Sequence, residues 1–186
     1  GYPVALEPDM PPTLEIASAM RELAQKIGPE RVIWRYDPIL LSNITDEVFH
    51  RNNFSALARE LAGAARRVII SVYSEYRKAA QRFEKLESSG ILRLTDISAV
   101  NYLLAVLPEI AGAAGMEIQS CAAKENYSPL GIRPGACIDA ELIKKISGLE
   151  LKPKDKHQRP GCLCCQSVDI GRYGNCGAGC VYCYAW

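Results

Sequence analysis

Apolar residues recur at helical spacing over residues 13–27, where Leu14, Ala17, Met20, Leu23 and Ile27 alternate with polar positions and Gly28-Pro29 ends the run. The pattern predicts one amphipathic helix with those Met and Leu positions in the core. Residues 31–39 (RVIWRYDPI) are rich in β-branched and aromatic side chains and meet Pro38, which reads as a strand entering a turn. Thr45 is placed to cap a helix through about Ala65. The pattern then repeats. Residues 67–73 (RVIISVY) form a continuous apolar run of the kind buried in parallel sheets, and residues 75–86 follow with helical spacing. Asp96 caps a helix to Gly115, residues 116–121 make a short strand, Asp139 caps a helix to about Ile146, and residues 165–170 make a last strand. Strands alternating with helices imply βαβ units with right-handed crossovers and a parallel sheet. Four strands form an open α/β sheet, or part of a (β/α) barrel whose other strands lie outside this chain.

With 186 residues, 48% of them apolar, the chain can bury the core of a single domain. Its formal charge of +1 provides no global field for nucleic acid or an acidic membrane, so such a partner needs a local patch. The longest uncharged apolar stretch, residues 97–108, is too short to span a bilayer, and no signal peptide opens the chain. A cytoplasmic protein without membrane contact is expected. The chain opens on Gly1 and stops three residues after Cys183, so it is expected to be a fragment lacking N-terminal strands, with residues 160–186 as its cysteine-rich segment.

Six of the eight cysteines (Cys162, Cys164, Cys165, Cys176, Cys180, Cys183) crowd the last 25 residues, a distribution that favours metal over a disulfide framework. Cys176, Cys180 and Cys183 form C-x-x-x-C-x-x-C with Tyr182 before the last cysteine. Three thiolates on one short loop can each take one iron of a cubane, and Gly177 and Gly179 let the backbone curl around it. A zinc site instead needs a fourth ligand, which Cys162 or Cys164 can supply. Unliganded thiols on one helix face are the third reading, against which the two glycines argue.

The spacing closely resembles that of the radical S-adenosylmethionine superfamily. The resemblance implies a [4Fe–4S] cluster whose cysteine-free iron binds the amino and carboxylate groups of S-adenosylmethionine. Reductive cleavage to a 5′-deoxyadenosyl radical follows, with a flavodoxin or ferredoxin as electron donor. The stretches IGPERVIWRYDPIL, CIDAELI, KDKHQRPGC and SVDIGRYGNCGAGCVYCYA together resemble the radical-SAM-like domain-of-unknown-function family eighteen-forty-eight over nearly the whole chain. Members of that family are longer at the N-terminus. The cluster loop comes last here and not after the first barrel strand, so the resemblance implies a circularly permuted barrel. The substrate is not implied. The alternatives are a non-catalytic zinc or iron-sulfur module, and a nucleic-acid lesion repair enzyme, whose loop style in spore photolyase relatives is similar.

Further candidates lie outside the loop. Cys162 and Cys164 form a C-x-C pair that can join Cys121 and Cys137 in a second site, an auxiliary cluster or a structural zinc, with Cys165 as an extra; lone cysteines are otherwise small hydrophobes. Arg35 and Asp37, before Pro38, sit where a strand ends, and related radical enzymes carry a similar R-x-D-P. That likeness makes Arg35 a candidate for a carboxylate and Asp37 for a ribose hydroxyl or the substrate, against a turn role for both. Asp169, Tyr173 and Tyr182 are candidates to orient the loop or touch the cofactor. Lys154, Gln158 and Arg159 suit a phosphate or a solvated linker, and His50 and His157 are isolated.

Overall fold

A computed structural model describes residues 1–95, 100–152, 154, 158–168 and 170–185. Among them, β1 (Ile33–Ile39), β2 (Arg67–Val72), β3 (Glu117–Cys121) and β4 (Arg133–Gly135) form one sheet in the order β1-β2-β3-β4. Every neighbouring pair is parallel, with Tyr36 opposite Ile70, Val68 opposite Ile118 and Cys121 opposite Gly135. The register of β1 against β2 breaks between Tyr36 and Ile39, the stretch that holds the cis Asp37–Pro38 peptide. The helices are α1 (Thr13–Ile27), α2 (Glu47–Glu60), α3 (Arg77–Ser88), α4 (Val100–Ala113) and α5 (Ala140–Ser147).

Strand alternation divides the sheet into two unlike faces. Trp34, Tyr36, Val68, Ile70 and Ile118 join the main core with Phe54, Ala58 and Leu61 of α2 and Leu103, Leu104 and Leu107 of α4. Trp34 and Phe54 stack with ring centroids 4.8 Å apart. Alternate positions on the same strands carry Arg35, Asp37, Ser71, Glu117, Gln119 and Cys121, so the opposite face is mostly polar, with Ile33 and Ile69 its apolar members. A second apolar cluster, Leu6, Leu40, Ala79, Phe83 and Leu92, packs α3 and the N-terminal segment beside the carboxyl ends of β1 and β2.

Several sequence expectations need correction. In α1 the buried stripe is Ala17 and Ala24, while Leu14, Leu23 and Ile27 are exposed, because the helix lies against the body on its small residues. The cap of α2 is Asp46, whose carboxylate accepts from Phe49 N at 2.8 Å; Thr45 is buried and donates to the Leu40 carbonyl at 2.8 Å. The strand expected over residues 165–170 is absent from its described part. Val168 and Ile170 are almost fully exposed, and the Cys165 N–H bonds to the Ile138 carbonyl at 3.0 Å. The fourth strand is Arg-Pro-Gly, which sequence patterning hides: proline lacks a ladder donor and glycine lacks a side chain, and both are tolerated at a sheet edge. The cap expected at Asp96 lies outside the described residues.

Candidate metal centre

The loop of residues 176–183 is built of turns, which removes the reading of three core thiols on one helix face. Gly179 has φ of +62°, and a Cβ there would lie 3.1 Å from Asp9 Oδ2 and Pro8 Cγ, so the backbone needs glycine to turn this close to the N-terminal segment. Two elements clamp the loop. Val181 N–H donates to the Leu6 carbonyl at 2.9 Å, and the Ala178 carbonyl accepts from Asp9 N at 3.3 Å. From α3, Arg82 Nε donates to the Val181 carbonyl at 2.9 Å and its Nη2 to the Cys183 carbonyl. A guanidinium that binds backbone carbonyls holds the loop without occupying its sulfurs.

Tyr182 faces inward. Its hydroxyl donates to Glu7, and its ring lies 5.6 Å from that of Tyr2. Tyr2 in turn donates to the Pro38 carbonyl at 2.5 Å and accepts from Leu40 N at 2.9 Å. One tyrosine ring therefore joins the loop to the end of β1, where Asp37 sits. Burial, then the Glu7 contact, raises the Tyr182 phenol above its ordinary value and keeps it protonated. Tyr173 lies under the Lys78 ammonium and against Tyr184, and Tyr184 packs on Tyr76. Asp169 and His157 lie outside the described residues.

Cys176 is exposed, and Cys180 and Cys183 are half-buried. Burial, followed by the charges of Glu7 and the neighbouring thiols, raises the Cys180 thiol, so metal binding there must displace a proton. Among the described residues no three His, Cys, Asp or Glu side chains are gathered around one point as ligands of a single metal ion. A cubane does not ask for that, because each cysteine binds its own iron. The three cysteine sulfurs and the glycine-permitted turn fit such a group.

Arg35 and Asp37 pair with each other on the polar sheet face, and Ser71 donates to Asp37. Arg35 also donates to Cys137 Sγ, which stands 3.3 Å from Cys121 Sγ. The hydrogen bond from Cys137 and then the Arg35 guanidinium lower the Cys121 thiol to about 6, while the same hydrogen bond and burial push Cys137 up against the pull of Arg35, so the pair holds one negative charge. The basic run is engaged internally. Lys154 caps the carbonyls of Arg159 and Pro160, Gln158 reaches the Cys165 carbonyl, and Arg159 donates to Tyr76.

A family model described as Domain of unknown function (DUF1848) matches residues 1–185. The chain belongs to that family. No curated protein and no solved structure matches the chain.

Four groups of this domain escaped sequence reasoning. Ser71, Glu117 and Gln119 lie on the polar face, visible as every second residue of the strands once their register is known. The Gln119 carboxamide oxygen is buried without a partner among the described residues. His50 is fully buried between Tyr36 and the Leu40 carbonyl at 2.9 and 3.0 Å, a structural network and not an isolated side chain. No helix among the described residues is long and apolar enough to cross a membrane.

Proposed function

We propose that this protein is a radical S-adenosylmethionine enzyme in which Cys176, Cys180 and Cys183 hold a [4Fe–4S] cluster. The observation that carries the reading is the seating of the loop. Three thiols on eight residues are clamped by α3 and the N-terminal segment beside the carboxyl ends of β1 and β2, the edge where parallel α/β folds gather their sites. The sequential parallel strands, with helices against one face and polar groups on the other, suit an arc of a (β/α) barrel whose polar side lines the interior.

When bound, the reduced cluster supplies the electron for reductive cleavage of S-adenosylmethionine. The chain's own groups bind and orient. Arg35, keeping its contact to Cys137 and exchanging part of its Asp37 contact, offers a donor to the cofactor carboxylate, and Asp37, steadied by Ser71, accepts from a ribose hydroxyl. Tyr182 sets the height of the loop over the end of β1 through Tyr2. Tyr173, with Asp169, belongs to the turn that leads into the loop. A flavodoxin or ferredoxin class donor delivers the electron, and the protein works in the cytoplasm on a substrate that the site does not identify.

The test is product analysis with anaerobically reconstituted protein, a chemical reductant and S-adenosylmethionine. Release of 5′-deoxyadenosine and methionine is expected. Iron-loaded protein that leaves the cofactor intact points to a non-catalytic binding module. Salt-dependent capture of DNA or RNA is not expected from a chain whose charge is balanced.

A further inference from the structure

Away from the cluster loop, the Cys121–Cys137 pair and the Cys162-x-Cys164 pair lie beside one another at the carboxyl ends of β3 and β4, with their four sulfurs not gathered around one point. Cys121 is the last residue of β3, Cys137 follows β4 by two residues, and Cys162 and Cys164 arrive on the coil between α5 and the loop. Gly161 lets that coil dock: a Cβ there would lie 3.3 Å from the Ala123 carbonyl and 3.5–3.6 Å from the Ala122 backbone, directly after Cys121. Ala122 is itself the one non-glycine residue with positive φ, +46°, among those described. Cys164 Sγ accepts from Ile138 N at 3.3 Å, which sets it beside Cys137, whereas Cys165 turns to the Ile138 carbonyl.

We propose that Cys121, Cys137, Cys162 and Cys164 form a tetrathiolate site for one zinc ion. The Cys121–Cys137 hydrogen bond brings the two sulfurs to 3.3 Å, a spacing that favours ligands of one shared ion. Thiolates sharing a tetrahedral zinc, at about 2.3 Å from it, stand about 3.8 Å apart, close to this spacing. Cubane ligands each hold a separate iron and lie on the outside of the cluster, so they stand farther apart. The Arg35 guanidinium at Cys137 offsets part of the negative charge that four thiolates leave around a divalent ion, and the Ile138 N–H to Cys164 bond is the backbone contact that steadies a metal thiolate. Cys162 now donates toward Gln158 Oε1 at 3.4 Å, so it and Cys164 are the side chains that turn inward to complete the tetrahedron. The ion would pin residues 158–165 to the ends of β3 and β4.

The test uses the full chain with Cys176, Cys180 and Cys183 all changed to serine, so that it stands apart from the cluster reading. Cobalt titration of this variant is expected to give the thiolate-to-cobalt band and the visible bands of tetrahedral cobalt, abolished by one equivalent of zinc. Cys137→Ser or Cys164→Ser added to that background should weaken cobalt binding by at least ~10-fold, as losses at metal sites do, while Cys165→Ser changes nothing. If Cys137→Ser fails to fold, Cys164→Ser on the coil carries the result. Unchanged cobalt binding in Cys164→Ser, iron with acid-labile sulfide in the triple-serine variant, or a Cys121–Cys137 disulfide mapped in anaerobically alkylated protein would each overturn the proposal.

Discussion

The sheet body and the cysteine-rich end of this chain are ordered by different forces. In the body, Trp34, Phe54, Val68, Leu103 and Leu107 are sealed from water and fix each other by packing. Beyond α5 the chain has no regular secondary structure among its described residues, and its apolar Val168 and Ile170 face solvent. This end is tied to the body mainly by a short series of polar contacts, Arg82 and the Leu6 carbonyl on the loop and Arg159 on Tyr76, with Val181 and Tyr182 its small apolar foothold on the second cluster. A packed core resists change everywhere, whereas a segment held by a few single contacts can be remodelled one contact at a time.

The sharpest separation comes from the loop cysteines. Changing Cys176, Cys180 and Cys183 to serine is expected to remove all loop-bound iron and sulfide, as read by metal analysis, while the far-ultraviolet circular dichroism and the urea midpoint of the body stay unchanged. A collapsed body would mean that the two regions are one cooperative unit. Phe54→Ala makes the converse cut. It removes a fully buried ring stacked on Trp34 and should cost about 3–5 kcal/mol in urea unfolding.

Smaller effects refine the picture. Asp46→Ala deletes the α2 cap and should cost about 1 kcal/mol by the same measurement. Tyr182→Phe loses the Glu7 contact and should change stability by no more than about 1 kcal/mol, yet reduce iron retained per chain after gel filtration. The pH response belongs to the body. Burial holds His50 below its ordinary value, so the unfolded chain takes up a proton that the folded one refuses. Stability is therefore complete above about pH 6.5 and falls as pH drops below it, and His50→Gln should flatten that limb of the urea midpoint against pH.

The same contrast explains what the sequence made legible. Strands β1 and β2 announce themselves through β-branched and aromatic runs, and α5 through Asp139, which caps it as expected by accepting from Glu141 and Leu142. Burial writes a periodic signal, and local caps write a short one. Strand β4 carried neither, since Arg-Pro-Gly owes its place to its neighbour β3. Residues 165–170 carried a false signal, because alternation without a face to bury against does not make a strand. In the proposed site, the C-x-x-x-C-x-x-C spacing alone singles out the three loop cysteines. The partnership of Arg35 with Cys137, 102 positions apart, depends on strand register, as does the polar face of Ser71 and Gln119. The clamp by Arg82 is a contact between α3 and a loop 99 positions later, which no local pattern encodes.

The measurement that tests the central claim most directly is iron and acid-labile sulfide in anaerobically reconstituted protein, taken beside the triple-serine loop variant. The account predicts a brown protein with about four irons and four sulfides per chain, lost entirely in the variant. Protein that carries neither iron nor sulfide, or carries the same amounts in both forms, would contradict it.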